Sequence, residues 1–174
     1  MAVVTIEVRL IGPGDDTSVA GAIVQQAYFA LPGYPHHPEY DMLLGDVAAR
    51  ALEAQVVVAL NEGRIVGCLT YVADNQNLHA EFEDADAAGF RYFGVDPSAQ
   101  GTGVGESMVQ WCIAEAHHTG KERLRIHTLE SMSGAQRLYQ RMGFERDPDH
   151  DEDWDGIKGL AFVYHSTSRA QRLT

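Results

Sequence analysis

Three glycines separated by single residues interrupt the middle of the chain, within residues 100–105. They follow an apolar run that ends at Val95 and lie at the start of a helical pattern over residues 102–118. Without Cβ atoms, a turn between a strand and a helix can direct several backbone N–H groups at one anion, and the helix dipole adds positive potential there. The pattern indicates a pyrophosphate-binding loop, formed by Gln100, Gly101, Thr102, Gly103, Val104 and Gly105.

Two other nucleotide-binding loops have different spacings. A Walker loop needs a lysine after its last glycine, whereas Glu106 and Ser107 follow Gly105. The Gly-x-Gly-x-x-Gly dinucleotide fingerprint needs its third glycine one residue later than it occurs here. Glu130, after the next predicted strand, is placed to bind a ribose, so an NAD-binding site stays an alternative. A glycine turn that only allows close packing is another.

A second motif, Ser-Gly-Ala-Gln-Arg-Leu-Tyr-Gln-Arg-Met-Gly-Phe, lies downstream of the glycine loop. Its residues Ala135, Leu138, Tyr139 and Met142 recur at the spacing of one helix face. Gly143 is placed to end that helix, because glycine favours the left-handed position after a helix C-terminus. The motif predicts a short amphipathic helix followed directly by a strand.

The Gln-x-x-Gly-x-Gly loop and the Leu-Tyr-x-x-x-Gly-Phe motif, in this order, resemble the GCN5-related N-acetyltransferase (GNAT) family. The resemblance runs from about residue 90 to residue 144. It implies an α+β fold of three α/β/α layers with a mixed, mostly antiparallel central sheet, in one domain over residues 1–174. It also implies acetyl-CoA as co-substrate, no metal, and direct transfer of the acetyl group to a primary amine of a small molecule or peptide.

The resemblance further implies roles for particular residues. Main-chain groups of Phe93 and Val95 would bind the pantetheine arm, and residues 100–105 would bind the pyrophosphate. The N–H group near Val95 would stabilise the oxyanion that develops on the thioester carbonyl. Tyr139 would act as the general acid for the departing thiolate, while a core tyrosine on an apolar helix face is the structural alternative.

The proton acceptor for the amine is left open. Relatives often have a glutamate where this chain has Gly89. The remaining candidates are Glu81, Glu83, His127, Glu130 and a chain of water molecules.

A further departure is Met132, which stands where many relatives have an asparagine, so a coenzyme contact through that side chain is lost or replaced. Together with Gly89, it keeps a second hypothesis open. In that hypothesis the chain is a non-catalytic acyl-CoA-binding module that acts as a sensor or an interaction domain.

His36 and His37 lie beside Tyr34 and Tyr40, in and next to a proline-rich segment that starts at Leu31. GNAT folds usually place an acceptor-binding loop here, and aromatic faces there could bind a cation. A plain surface loop fits the same residues. A metal site lacks a third ligand nearby.

Composition narrows the class of protein. The 174 residues are 45% hydrophobic and carry a net charge of −12, which fits one globular domain and argues against a nucleic-acid partner. The acidic charge favours a cationic amine acceptor or only serves solubility. There is no apolar run of about 20 residues and no signal-peptide pattern, so we expect a cytoplasmic protein without a membrane partner. A homodimer is common in such folds, but no heptad pattern specifies one.

The surrounding pattern predicts the elements that position these motifs. Cys68 and Cys112 lie in apolar stretches without ligand spacing and are predicted to be buried and reduced. Strands are predicted at residues 3–11, 56–60, 65–72, 90–95 and 124–129, with two more flanking an acidic loop at 147–155. Helices are predicted from Asp15 or Asp16 to about residue 30, and at residues 40–52, 102–118 and 133–142. Loops are predicted at residues 31–39 and 74–88.

Overall fold

The computed structural model describes residues 5–166, and within that range it contains five α-helices and eight strands. The helices are α1 (Thr17–Phe29), α2 (Pro38–Gly45), α3 (Val47–Glu53), α4 (Val104–His118) and α5 (Ser133–Arg141). The strands are β1 (Ile6–Leu10), β2 (Gln55–Asn61), β3 (Arg64–Val72), β4 (Ala87–Val95), β5 (Arg123–Leu129), β6 (Glu145–Arg146), β7 (Glu152–Trp154) and β8 (Ile157–His165). Residues 3 and 4 of the first predicted strand lie outside the described residues.

The chain forms two compact units. Of the described residues, the first unit contains 5–71 and 91–111, and the second contains 72–90 and 112–166. The prediction of one domain over residues 1–174 stays a prediction. Among residues 5–166, no helix combines the length and the apolar character needed to cross a membrane.

In the first unit, β2 pairs antiparallel with both β1 and β3. The β2–β3 hairpin turns at Glu62 and Gly63, whose φ angles of 50° and 76° are those a tight hairpin turn requires. Asp16 begins α1 as predicted, because its side chain accepts hydrogen bonds from the N–H groups of Ser18 and Val19. The core includes residues 56–60 of β2, all of which are buried.

In the second unit, β5 is the central strand. It pairs in parallel with the start of β4, from Ala87 opposite Arg123 to Gly89 opposite Arg125. On its other side it pairs antiparallel with β8 over the whole of β5, and β8 also pairs antiparallel with β6 and β7. The predicted mixed, mostly antiparallel sheet is confirmed.

Three predicted boundaries are wrong. The single helix predicted over residues 40–52 is two helices, because Asp46 leaves helical geometry and its side chain caps α3 at the Ala49 N–H. The predicted loop at residues 74–88 ends earlier, since β4 begins at Ala87. The acidic loop at 147–155 contains a 3₁₀ turn and β7.

Both cysteines are buried and free, which confirms the prediction made for them. Burial raises the pKa of the Cys68 thiol to about 12, and burial followed by the nearby Glu115 carboxylate raises the pKa of Cys112. Thiols with raised pKa values carry little thiolate near neutral pH, so these side chains serve packing.

Candidate active site

The glycine loop joins a 3₁₀ turn at Pro97–Ala99 to the first turn of α4. Gly101 and Gly103 have φ angles of 77° and 87°, in the left-handed region that glycine adopts readily. A Cβ atom built on either residue meets no other atom within 4 Å. The loop therefore uses glycine for its backbone shape and leaves open space above it, which an anionic ligand could enter.

The start of α4 adds donors and positive potential to this loop. The first N–H groups of a helix have no partner within the helix, and the helix dipole places partial positive charge beside them. Val104 is buried and anchors this end of α4, whereas Thr102 and Gly103 are exposed. The Thr102 hydroxyl donates a hydrogen bond to the Ala99 carbonyl. A pyrophosphate group fits such a site, because its charge is complementary to these donors.

The strand before the loop carries a strained residue that the sequence did not reveal. Tyr92 has a φ angle of 54° in the middle of β4, an unusual value for a bulky side chain. Its ring is buried, while Phe93 and Val95 on either side of Gly94 are half-buried. Such an outlier in a strand is typical of a bulge, which redirects the backbone groups that follow it. The coenzyme contacts of Phe93 and Val95 stay predictions.

Arg50, on α3, packs against the ring of the strained residue Tyr92. Its guanidinium lies 4.7 Å from the centre of the Tyr92 ring, within range of a cation–π interaction. It also donates to the carbonyls of Leu43 and Leu44 at the end of α2 and to the Thr70 hydroxyl. The side chain is fully buried. It therefore links α2, α3, β3 and β4 of the first unit.

Tyr139 lies in α5, within an aromatic cluster of the second unit. Its ring centre is 5.8 Å from that of Phe90, 5.5 Å from Phe144 and 6.2 Å from Phe162. Burial, followed by the nearby Cys112, raises the pKa of the Tyr139 phenol above its ordinary value. The hydroxyl therefore stays protonated near neutral pH, as a proton donor must.

The end of α5 fixes the position of Tyr139. The N–H of Phe144 donates to the Tyr139 carbonyl at 2.9 Å, and the N–H of Gly143 donates to the Gln140 carbonyl at 3.2 Å. With Gly143 at a φ of 97°, these bonds form a Schellman motif, and the Tyr139–Phe144 ring contact completes it. The helix end predicted at Gly143 is confirmed.

A cavity of about 880 Å³ lies in the second unit, beside β5. Its lining includes Arg125, whose guanidinium is held at 2.8 Å by Asp84 and at 2.7 Å by Asp147. Six acidic residues and two histidines also line it. They are Glu81, Glu83, Asp84, Asp149, Asp151, Glu152, His127 and His150. The volume is that of a small-molecule site.

Two of the candidate proton acceptors meet in this cavity. The Nδ1 atom of His127 lies 3.1 Å from Oε2 of Glu81, and its Nε2 atom lies 2.8 Å from the His150 carbonyl oxygen. The Trp154 ring packs beside the imidazole at 5.9 Å between centres. Glu83 lines the same cavity, whereas Glu130 is exposed after the end of β5.

Residues 22–144 match the model of the family described as the acetyltransferase (GNAT) family. The match covers more than half of the chain. This chain belongs to the GNAT acetyltransferase family.

Individual proteins support this assignment. A mycothiol acetyltransferase from Thermobispora bispora is 29% identical over 151 residues, which covers 81% of this GNAT chain and 47% of that relative. The chain thus spans about half the length of this curated relative. An N-acetyltransferase from Kribbella flavida aligns with a TM-score of 0.67 at 20% identity, over 92% of this chain and 97% of that one. An acetyltransferase from Salmonella typhimurium, solved with acetyl-CoA, aligns with a TM-score of 0.67 at 18% identity, over 95% and 96%. These structures show that the fold is that of GNAT proteins.

The structure explains one departure from the GNAT pattern. A Cβ atom at Gly89 would lie 2.6 Å from the Arg125 carbonyl oxygen and 2.8 Å from the Phe82 ring. A glutamate therefore does not fit at Gly89 unless backbone and ring both move. The second residue that differs from the GNAT pattern is Met132. It precedes the first residue of α5 and makes no side-chain hydrogen bond to cap the helix, and nothing in the structure explains the presence of methionine there.

In the proline-rich segment of this GNAT chain, Asp41 is the shared partner of Tyr34 and His36. That carboxylate lies 2.8 Å from Nδ1 of His36 and accepts a hydrogen bond of 2.8 Å from the Tyr34 hydroxyl. The His36 ring packs 4.8 Å from Phe29 between ring centres. The described part of the chain contains no group of three side chains suited to a metal ion. An acceptor-binding role for this segment stays a prediction.

An ion pair between Arg146 and Asp151 lies in the loop that borders the cavity. Both oxygens of Asp151 accept from the Arg146 guanidinium at 2.8 Å, and one also accepts from the Ala161 N–H. The Arg146 hydrogen bonds outweigh partial burial and lower the pKa of Asp151 to about 2. Because the folded pKa is depressed, the stabilisation is present above the ordinary pKa near 3.8 and is lost as the pH falls towards 2.

We expect Asp151→Asn to lower the melting temperature at pH 7 and to converge on the parent protein near pH 2. The measurement is the melting temperature of both proteins between pH 2 and pH 7. Asp149→Asn, at an exposed residue of the same loop, is the control and should follow the parent at every pH. A constant difference between the Asp151 variant and the parent down to pH 2 would contradict the ion-pair account.

Proposed function

We propose that this GNAT chain is an acetyl-CoA-dependent N-acetyltransferase that transfers the acetyl group directly to a primary amine of a small molecule or peptide. The observation that carries the proposal is the open glycine loop at the start of α4, in a chain whose family is established. Acetyl-CoA bound in the Salmonella typhimurium relative supports it as the co-substrate. The two buried free cysteines suit a reducing compartment, which supports a cytoplasmic location.

The first unit would hold the coenzyme. Residues 100–105 and the first turn of α4 supply N–H groups for the pyrophosphate, and main-chain groups of Phe93 and Val95 bind the pantetheine arm. The N–H near Val95 then stabilises negative charge on the acyl oxygen. Acetyl-CoA itself supplies the activated acyl group.

The second unit would supply the proton donor. The phenol of Tyr139 is protonated at neutral pH, as a tyrosine is already at its ordinary pKa of 10, and burial raises that pKa further. In the proposed role it gives this proton to the coenzyme A thiolate as that group leaves.

The deciding experiment is incubation of the protein with acetyl-CoA and a panel of amines, with thiol release as the signal. The panel contains a polyamine, free amino acids, an aminoglycoside, peptides with free N-termini and peptides with lysine. Acetylated product together with thiol release supports the enzyme and identifies the class of acceptor.

The second candidate function is a non-catalytic acyl-CoA-binding module. The crowding at Gly89, which leaves β4 without an acid at that residue, favours it. This candidate predicts binding of acetyl-CoA by calorimetry without thiol release from any amine. Tight binding of NAD(H) in a parallel titration would instead favour the dinucleotide alternative.

Gly103→Ala tests the loop directly. With alanine there, the exposed loop is expected to relax out of the left-handed form in the free protein, and binding must then restore that form at a cost of about 1–2 kcal/mol. We therefore expect coenzyme A to bind roughly 5- to 30-fold more weakly, by calorimetry. The matched control is Gly120→Ala, because Gly120 also has a positive φ, of 73°, and open space around its Cβ position. Gly120→Ala should lose similar stability and keep its affinity. Equal affinities in both variants would contradict a coenzyme site at the loop.

A further inference from the structure

The strained residue of β4 has a buried ring with three neighbours in the first unit. Tyr92 has a φ angle of 54°, and this conformation costs a bulky residue free energy, so it persists only where the surroundings impose it. The centre of its ring lies 4.7 Å from the Arg50 guanidinium, 4.3 Å from that of Arg91 and 6.4 Å from the centre of the Tyr40 ring. Contacts to this ring are therefore the means by which the fold can keep β4 in its unusual backbone conformation.

Arg50 connects the ring to two other elements of the same unit. Its guanidinium donates to the carbonyls of Leu43 and Leu44 in the last turn of α2, and its Nε atom donates to the Thr70 hydroxyl on β3 at 3.2 Å. A guanidinium is planar and its donors point in fixed directions, so three acceptors leave it little freedom. The Tyr92 ring thus packs on a group that is itself held in place.

Placing this cation inside the protein costs free energy. The Arg50 side chain is fully buried, and its acceptors are carbonyl and hydroxyl oxygens rather than carboxylates. Burial is the largest influence on the pKa of Arg50 and lowers it. The carbonyls at the end of α2 carry the negative potential of the helix dipole and offset part of the cost. An apolar side chain would avoid the cost, but it would not fix the Tyr92 ring to α2 and β3.

The residues that follow Tyr92 are those proposed to bind the coenzyme. Phe93 is the next residue, and Val95 ends β4. A bulge-like conformation in a strand changes the direction of the N–H and C=O groups that follow it. At the other end of this segment, the N–H of Asp96 donates to the Val66 carbonyl at 2.8 Å. The direction of the main-chain groups between these two points is therefore set partly at Tyr92.

We propose that Arg50 is a positioning residue for the coenzyme. Through the Tyr92 ring it keeps β4 in the backbone conformation that directs main-chain groups of Phe93 and Val95 at the pantetheine arm. This inference rests on the proposed coenzyme site of the first unit. It gives Arg50 no contact with coenzyme A and leaves the pyrophosphate at residues 100–105.

The test compares the binding of coenzyme A with that of ADP, which has a diphosphate group but no pantetheine arm. Arg50→Met keeps much of the volume beside Tyr92 and removes the donors. Thr70→Val removes only the hydroxyl that accepts from Nε, so it is the milder variant. Coenzyme A affinity is measured by calorimetry, and ADP affinity from the amide NMR signals of Gly101 and Gly103 at millimolar ADP.

Leu60→Ala is the control for a loss of stability alone. Leu60 is buried in β2, and Thr70 pairs with Val56 of the same strand. Leu60 therefore lies roughly 13 Å further along β2 from the Arg50 contacts. Removing its side chain should cost at least as much stability by urea titration as Arg50→Met does, while both ligands bind as they do to the parent.

We expect Arg50→Met to weaken coenzyme A binding roughly 5- to 30-fold, because binding must then restore the conformation of Tyr92. Its affinity for ADP should stay within about twofold of the parent value, since ADP does not reach β4 in the proposed site. Thr70→Val should weaken coenzyme A binding by less and in the same direction, and it decides the question if Arg50→Met does not fold.

Parent-like coenzyme A affinity in the folded variants of Arg50 and Thr70 would overturn this proposal and leave the coenzyme site standing. An equal loss of affinity for ADP and coenzyme A would also overturn it, because Arg50 would then act on the whole unit rather than on β4. Failure of the parent protein to bind coenzyme A would overturn the proposed function together with this inference.

Discussion

Tyr139→Phe is expected to lower kcat roughly 10- to 100-fold, at or below the low end of general acid catalysis, because a thiolate is already a good leaving group. The affinity for coenzyme A should change less than about twofold, since the proposed coenzyme contacts come from main-chain groups of other residues. The measurements are steady-state thiol release with the best panel amine and calorimetry with coenzyme A.

Tyr139→Phe should remove the hydroxyl group without disturbing the packing of the ring or the end of α5. The ring contacts of Tyr139 with Phe90, Phe144 and Phe162 do not need the hydroxyl. The hydrogen bonds that end α5 are between backbone groups, so they survive the change. Stability should therefore stay close to that of the parent, and a loss of rate can be assigned to the missing proton donor.

Tyr164→Phe is the matched control for this prediction. Its ring lies 5.4 Å from Phe144, so the substitution removes a hydroxyl from the same aromatic cluster, and it should leave kcat unchanged. The raised pKa of Tyr139 keeps its phenol protonated from pH 6 to 9. The loss of kcat in Tyr139→Phe should therefore be seen over that whole pH range. An unchanged kcat in Tyr139→Phe at every pH would remove the residue from the mechanism.

Features with a local physical cause were predictable from the sequence. Gly143 ends α5 in the left-handed conformation because no other residue adopts it as cheaply, and Asp16 caps α1 because a short carboxylate reaches the first N–H groups. Gly101 and Gly103 have positive φ angles in the turn that the sequence predicted between a strand and a helix. These residues act on their own backbone or on close sequence neighbours, so the motif contains the explanation.

Features that depend on distant neighbours were not predictable. The contact between Glu81 and His127 joins residues 46 positions apart and left no spacing signal, so the two stood among several candidates. The role of Phe82 against Gly89 became visible only with the backbone in place. Tyr92 gave no sign of its strained backbone, because tertiary contacts impose that conformation.

Arg50→Ala is expected to reduce the free energy of unfolding by on the order of 3 kcal/mol, measured by urea titration. The reason is the number of groups that lose their donor at once. The carbonyls of Leu43 and Leu44 and the hydroxyl of Thr70 all accept from this guanidinium, which is fully buried. The ring of Tyr92 would also lose its contact with the Arg50 guanidinium, while that with Arg91 would remain, and a cavity would be left.

Arg50→Met separates packing from hydrogen bonding. Methionine fills much of the same volume beside Tyr92 but donates nothing, so the loss should fall between those of the alanine variant and the parent. Arg64→Ala, at an exposed arginine of the same unit, should cost less than about 0.5 kcal/mol. If Arg50→Ala and the parent were equally stable, the prediction would be wrong. The free-energy cost of burying the guanidinium would then equal the stabilisation from its hydrogen bonds, as is known for some buried charges. An unfolding free energy of Arg50→Met between those of the alanine variant and the parent would show that Arg50 stabilises the fold partly by donating to α2 and Thr70. A parent-like value would show that Arg50 only fills space beside Tyr92.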